Sequence, residues 1–274
     1  MNPILEGAYD MHVHTAPDVI DRRMDDLDLA AAYKAAGMKG FVIKSHYFDT
    51  AGRAYLIRRL FPGLRAVGAI VLNRSVGGLN PEAVRMAAKY GAEVVYMPTV
   101  DAFNMSHMSG AIRILADGGL DPAIDEILDI VRDYDMVLCS GHIAPEETLA
   151  LFERAGEKGI RKMLATHVEW RPTRASVSMQ RRFTECGALL EHCVINLSGG
   201  DLTISDLVDQ IHEIGAEHMV LSTDLGQAHN PAPAEALEEY ADKLLRAGVT
   251  KEELRMMIVT NPERLLSDEG TGKL

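Results

Sequence analysis

A chain of 274 residues fits one large domain or two small ones and is long enough to bury a sizeable core. Its hydrophobic fraction of 47% is that of an ordinary globular protein, while a formal net charge of −12 argues against nucleic acid or an anionic membrane as a general partner. Three scattered cysteines, Cys139, Cys186 and Cys193, exclude a disulfide framework and read as buried small apolar side chains in a reducing compartment.

The first residues, Met-Asn-Pro-Ile-Leu-Glu-Gly, show neither a basic region nor a long apolar run, so no secretory signal is expected. No apolar stretch approaches the roughly 20 residues that span a bilayer, and a cytoplasmic protein is expected. The first strand-like run, AYDMHVH (8–14), ends in His12 and His14, whose spacing of two places both rings on one face. Arg22 and Arg23 follow in a loop, then a helical stretch LDLAAAYKAAG (27–37). A second run, GFVIKSH (40–46), carries Lys44 and His46 on one face, which alternation turns inward. The third, RAVGAIVLN (65–73), leads into Arg74 and into Gly77-Gly78, read as turn chemistry that cradles an anion only if nearby amides converge. PEAVRMAAKYG (81–91) is helical, and the fourth run, AEVVYMPT (92–99), precedes a long segment, 100–120, holding Asp101 and His107. That segment reads either as a lid or as ordinary polar loop.

MVLCSGH (136–142) ends in His142, RKMLATHV (161–168) in His167, and Glu169, Arg171 and Arg174 come just after. ALLEHCVINLS (188–198) is the seventh run, SDLVDQIHEIG (205–215) a helix, and HMVLSTDL (218–225) the eighth run, closing on Asp224. Several of the helices stop on glycine just before the next strand, an expected helix end. Eight apolar strands alternating with helices imply parallel pairing with right-handed crossovers. At this length the expectation is one domain, residues 1–274, folded as a closed (β/α)8 TIM barrel. The competing open sheet is disfavoured because no G-x-G-x-x-G follows the first strand. No linker-like stretch divides the chain, and only the end, DEGTGKL, reads as loose.

Active sites of such barrels lie at the C-terminal ends of the strands. His12, His14, His142, His167 and Asp224 all fall at that rim, where an isolated H-x-H would read as a pair of satisfied histidines. Neutral imidazole is a common zinc ligand, and two on one rigid strand are cheaply positioned. His192, His212, His218 and His229 fall early in a strand, on a helix, or in a loop, and read as structural or solvated. The methionines read as core filling.

The ordered set His12-Val13-His14, His142, His167 and Asp224 resembles the amidohydrolase superfamily, and the end GVTKEELRMMIVTNPERLL (248–266), with its Thr-Asn-Pro turn, resembles the closing helices of such hydrolases. The resemblance implies that His12, His14 and Asp224 bind a divalent metal, most often zinc. His142 and His167 would complete a second site, or one would ligate while the other contacts the attacking water; a single ion held by His12, His14, His142 and Asp224 fits equally. Asp224 would accept the proton of the attacking water and deliver it to the leaving group. The chain departs from many relatives at strand four, which ends Tyr96-Met97-Pro98-Thr99 where a bridging lysine or glutamate is common. Lys44 on strand two is either a carboxylated metal bridge, a cation gripping a substrate anion, or the partner of a buried acid. His46 reads as an extra ligand or substrate contact.

Arg74 and Arg171 are candidates for binding a substrate carboxylate or phosphate, Arg22 and Arg23 for facing the mouth, Arg174 for a surface salt bridge, and Glu169 for orienting His167 or closing the pocket. The expected function is hydrolysis of an amide, lactone or related carboxyl-derived bond of a small molecule, anionic substrates included, with one or two zinc-like ions. The alternatives are a metal-dependent decarboxylase, a phosphoesterase, or a barrel that binds metal or ligand without turnover. The sequence leaves oligomeric state open, with a symmetric homo-oligomer among the expected assemblies.

Overall fold

Eight parallel strands carry the apolar runs: β1 (Tyr9–Val13), β2 (Gly40–Ile43), β3 (Arg65–Val71), β4 (Ala92–Tyr96), β5 (Val137–Cys139), β6 (Met163–Ala165), β7 (Leu189–Cys193) and β8 (Met219–Ser222). The computed structural model describes residues 4–106, 109–116 and 118–267. Each strand pairs in parallel with the next in chain order. The ring closes between β1 and the end of β8, where the Asp224 N–H donates to His12 O at 2.7 Å and the His14 N–H to Leu225 O at 2.8 Å. The fold is the (β/α)8 barrel expected from the alternating runs.

The covering helices are α1 (Asp26–Ala35), α2 (Ala51–Leu60), α3 (Pro81–Tyr90), α4 (Pro122–Asp133), α5 (Pro145–Glu157), α6 (Val177–Glu185), α7 (Ile204–Ile214) and α8 (Pro233–Arg246). Their starts are set locally. Asp25 accepts from the Leu27 and Asp28 amides ahead of α1, and Thr203 and Asp206 form a reciprocal capping box on α7. Proline occupies the first turn of α3, α4, α5 and α8, where its missing N–H costs nothing. A small hairpin, Leu115–Ala116 with Gly119–Leu120, stands outside the barrel between β4 and α4.

Two apolar layers result. One lies between strands and helices; the other fills the barrel with Tyr9, Met11, Val67, Val94, Leu164 and Val220. The end opposite the strand C-termini is plugged by Leu265 and Leu266, from a final helix Asn261–Leu266. Asn261 anchors that helix by donating from Nδ2 to Ala216 O at 2.9 Å and Met219 O at 2.7 Å. The Thr260-Asn261-Pro262 segment is therefore helical rather than a turn, since Pro262 sits in a first helical turn where it is tolerated.

Several strands are shorter than their apolar runs. β7 stops at Cys193 and residues Val194–Ser198 coil into a short helix, while β2 ends at Ile43 before Lys44 and His46. At the mouth the chain leaves the ladder so that polar side chains can turn into one space. Among the described residues no helix is long and apolar enough to cross a membrane. All three cysteines are free, with Cys139 and Cys193 buried.

Candidate metal centre at the barrel mouth

The five rim residues converge. His12 and His14 leave β1 with ring centroids 5.4 Å apart, and both Nε2 atoms meet Asp224 Oδ1, at 2.9 and 3.0 Å. His167 Nε2 lies 3.3 Å from the other carboxylate oxygen, and the His142 ring centroid is 5.4 Å from that of His167. Lys44, fully buried, places Nζ 2.8 Å from His12 Nε2 and 4.6 Å from the centre of the Tyr96 ring. His46 stacks at 4.9 Å from His14 and bonds Thr99 through Nδ1 at 2.8 Å.

Local backbone explains the convergence. His167 and Asp224 both adopt positive φ, 53° and 49°, a conformation rare outside glycine but more open to His and Asp. Such strain persists only where the surroundings over-determine it, and here it aims both side chains into the mouth. Gly226 lies so close to β1 that a Cβ there would collide with the His14 carbonyl, and one on Gly141 would strike Met97 O. These two glycines let the loops after β8 and β5 press against their neighbours and deliver Asp224 and His142.

The hydrogen-bonding roles around His12 conflict while Lys44 and Asp224 are both charged. Glu191 Oε2, 3.1 Å from His12 Nδ1, can only accept, so Nδ1 carries the proton and the neutral ring's lone pair lies on Nε2. In the neutral ring that lone pair accepts from Lys44 but opposes the Asp224 carboxylate oxygen, whereas a protonated ring donates to Asp224 but opposes a Lys44 ammonium. Both nitrogens of His142, Nδ1 of His167 and Oε1 of Glu191 are buried with no hydrogen-bond partner. Groups of this kind are costly when unsatisfied, and imidazole with carboxylate is a zinc-type donor set. The ligating atoms of His12, His14 and Asp224 lie within 4.8 Å of one another, as do those of His12, His167, Glu191 and Cys193. The residues fit a divalent cation.

Charge supports this. Burial draws the His14 and His167 imidazoles down to about 4, and holds His46 and His142 well below their ordinary value. These rings are neutral lone-pair donors at pH 7. Burial works against the Asp224 carboxylate, but the facing His12 ring and the bonds from His12 and His14 outweigh it and hold the group well below the usual carboxylate range.

A model described as "Family of unknown function (DUF6282)" matches residues 7–191. The chain belongs to that family. No curated protein matches the sequence. Among solved structures, the barrel is similar to an amidohydrolase from Pseudomonas aeruginosa (13% identity, 97% of each chain covered, TM-score 0.71). It is also similar to the organophosphorus hydrolase from Deinococcus radiodurans (16%, 95% of this chain and 92% of that one, 0.61). A third is a protein of Pseudomonas putida described provisionally as a 2-pyrone-4,6-dicarboxylic acid hydrolase (12%, 97% and 99%, 0.63). At these identities the likeness is one of fold, and it is the fold that the resemblance to the amidohydrolase superfamily implies.

The remaining sequence candidates divide within this DUF6282 barrel. Arg22 does reach the mouth, with its NH2 group 3.3 Å from His14 Nδ1 and 2.6 Å from Asp18, whereas Arg23 is exposed. Since a guanidinium only donates, that Arg22 contact and a cation on His14 Nε2 exclude each other. Arg74 pairs with Asp101 at 2.8 Å on the surface, and Arg171 is exposed in a short turn, so neither joins the cluster. Arg174 bonds the Glu169 and Asp201 carbonyls and lies 3.5 Å from the Asp201 carboxylate, the salt bridge expected of it. Glu169 does not orient His167; it pairs with buried His192 behind β7. The Gly77 and Gly78 amides are taken by Arg74 O and Asn73 O, which leaves turn chemistry and no anion cradle.

His107 lies outside the described residues, although Val100 and Met105 from the same segment line the cavity. His212 and His229 are exposed, and His218 ends the short turn Ala216–His218 just before β8, at the far end. Glu191 escaped the sequence reading. Its signal was an acid inside an otherwise apolar strand, at the same parity as inward-facing Leu189.

Proposed function

We propose that this protein is a metal-dependent hydrolase acting on an amide, lactone or related carboxyl-derived bond of a small molecule. The observation that carries this reading is the meeting of His12 Nε2 and His14 Nε2 on one oxygen of Asp224. His12, His14 and Asp224 would hold a divalent cation, with zinc favoured by the donor chemistry, and His142, His167 and Lys44 stand around it. When bound, such a cation lowers the pKa of a coordinated water and polarises the scissile bond.

The chain's own groups do the rest. Asp224, kept ionised by its histidines, accepts the proton of the attacking water at Oδ2 and returns it to the leaving group. His167, 3.3 Å from that oxygen, orients it. His142 has both nitrogens free to meet a substrate oxygen, and the Trp170 ring packed 4.9 Å from it shields that side from water. Likeness of fold to an amidohydrolase and an organophosphorus hydrolase supports a hydrolytic reading.

The test is elemental analysis of the purified protein beside a panel of amides, lactones and esters. One or two divalent ions per chain are expected, with hydrolysis lost on chelation and restored by zinc. Asp224→Asn is expected to lower the rate about 10³-fold or more. Active protein free of metal would overturn the reading.

A further inference from the structure

Beneath the mouth loops lies a cavity of about 320 Å³, the small end of the range for ligand sites. One wall is apolar, made by Trp170, Met105, Val100 and Ile195. Its charged members, among the described residues, are the carboxylates of Asp224 and Asp201; no lysine or arginine lines it. Asp201 is 16% exposed, and among the described residues its ion pair is a 3.5 Å contact with an Arg174 that is itself 54% exposed, a pairing worth little. Arg174 commits its shorter bonds to two backbone carbonyls. The Asp201 charge therefore remains largely uncompensated towards the cavity.

The nearby cations are already engaged or lie outside the lining. The Arg22 side chain is buried against Asp18, Lys44 is sealed below His12, and Arg74 and Arg171 lie elsewhere. In the metal-free protein an anionic group entering the cavity would lose its hydration and face the Asp201 and Asp224 carboxylates with no lysine or arginine in the lining to offset them. A flat apolar ring meets the Trp170 face instead, and a cation there gains from the indole as well as from Asp201.

We propose that this cavity selects uncharged or cationic ring-bearing ligands over anionic ones, with Asp201 as the specificity-determining residue and Trp170 as the stacking wall. The proposal rests on the reading that the cavity is the hydrolase's substrate site, yet its test needs no turnover. Trp170 is the single tryptophan of the chain, so intrinsic tryptophan emission reports this wall alone. The probes, offered to metal-free protein so that no bound cation contributes, are phenyltrimethylammonium, methyl phenyl sulfone and benzenesulfonate, which share a ring and a tetrahedral head but are positive, neutral and negative.

Saturable changes in emission are expected, tightest for the ammonium, with benzenesulfonate at least about tenfold weaker than the sulfone. Asp201→Asn should erase the ammonium's advantage over the sulfone while the sulfone still binds. Arg174→Ala, which removes the partner of Asp201, should widen that advantage. Benzenesulfonate binding as tightly as the sulfone, no saturable change with any probe, or an Asn variant that keeps the ammonium preference would each overturn the proposal. Binding in the expected order by a protein that hydrolyses nothing would sink the hydrolase reading alone; a working hydrolase that favours benzenesulfonate would sink only this one.

Discussion

The two ends of the barrel are built from the same strands and obey opposite rules. At the closed end β1 contributes Tyr9, β7 Leu189 and the last helix Leu265, all apolar and packed together. At the open end the same β1 supplies His12 and the same β7 supplies Glu191, both fully buried and meeting at 3.1 Å. At the closed end these side chains are satisfied by apolar packing. The open end leaves buried imidazole nitrogens without partners and crowds His12 Nε2 between Lys44 and Asp224, an arrangement that folding alone would not select. The difference separates residues that hold the barrel shut from residues held ready for a ligand.

The largest effect expected from breaking this division is at the open end. His12→Ala removes the ring shared by both candidate donor groups, so metal content should fall to background and any hydrolysis by about 10³-fold or more. Elemental analysis of the variant decides it; retained metal would place the ion elsewhere. At the closed end Leu265→Ala should act in the opposite manner. It vacates a buried plug position and should cost about 2–5 kcal/mol of stability, read by denaturant unfolding, with metal content per folded chain unchanged.

Acid should distinguish the ends next. Burial holds the His14 and His167 rings near 4 against 6.5 in the unfolded chain, and those of His46 and His142 well below it. Between those values the unfolded chain takes up protons that the folded one refuses. The stability of the metal-free protein is thus complete above pH 6.5 and declines as pH falls towards 4. His12 has the opposite sign: burial pulls it down, but Asp224 and Glu191 carry it above its usual value, so its contribution is lost as pH rises through that raised value. Four rings outweigh one. Melting temperatures of metal-free protein from pH 7 to 4 should therefore drop, and a flat profile would show that the mouth is hydrated rather than buried.

This same division explains what was legible in the sequence. Strand positions could be read because apolar runs and glycine stops are local signals, and β3 starts at Arg65 as its run does. The rim set His12, His14, His142, His167 and Asp224 could be read because a barrel brings all strand ends to one face. Glu169 and His192 could not: their pairing behind β7 depends on a loop path after β6 that no spacing encodes. Arginines are the weakest case, since a long side chain can reach many partners and only the folded neighbourhood chooses. Arg22 turned inward to Asp18, while Arg74 turned outward to Asp101.

That last contrast gives the smallest expected effect. Arg74 and Arg171, both plausible anion forks in sequence, belong neither to the polar mouth nor to the apolar plug. Arg74 is 59% exposed, and its bond to Asp101 is of the kind worth only about 0.2–1 kcal/mol. Arg74→Ala and Arg171→Ala should therefore leave metal content unaltered and change kcat/KM less than about twofold for neutral substrates, a barrier change under ~0.5 kcal/mol. A larger loss, confined to KM and to anionic substrates, would mean that these guanidiniums swing to the mouth when ligand binds. The boundary between the reactive end and its surroundings would then have to be drawn wider than the free barrel shows.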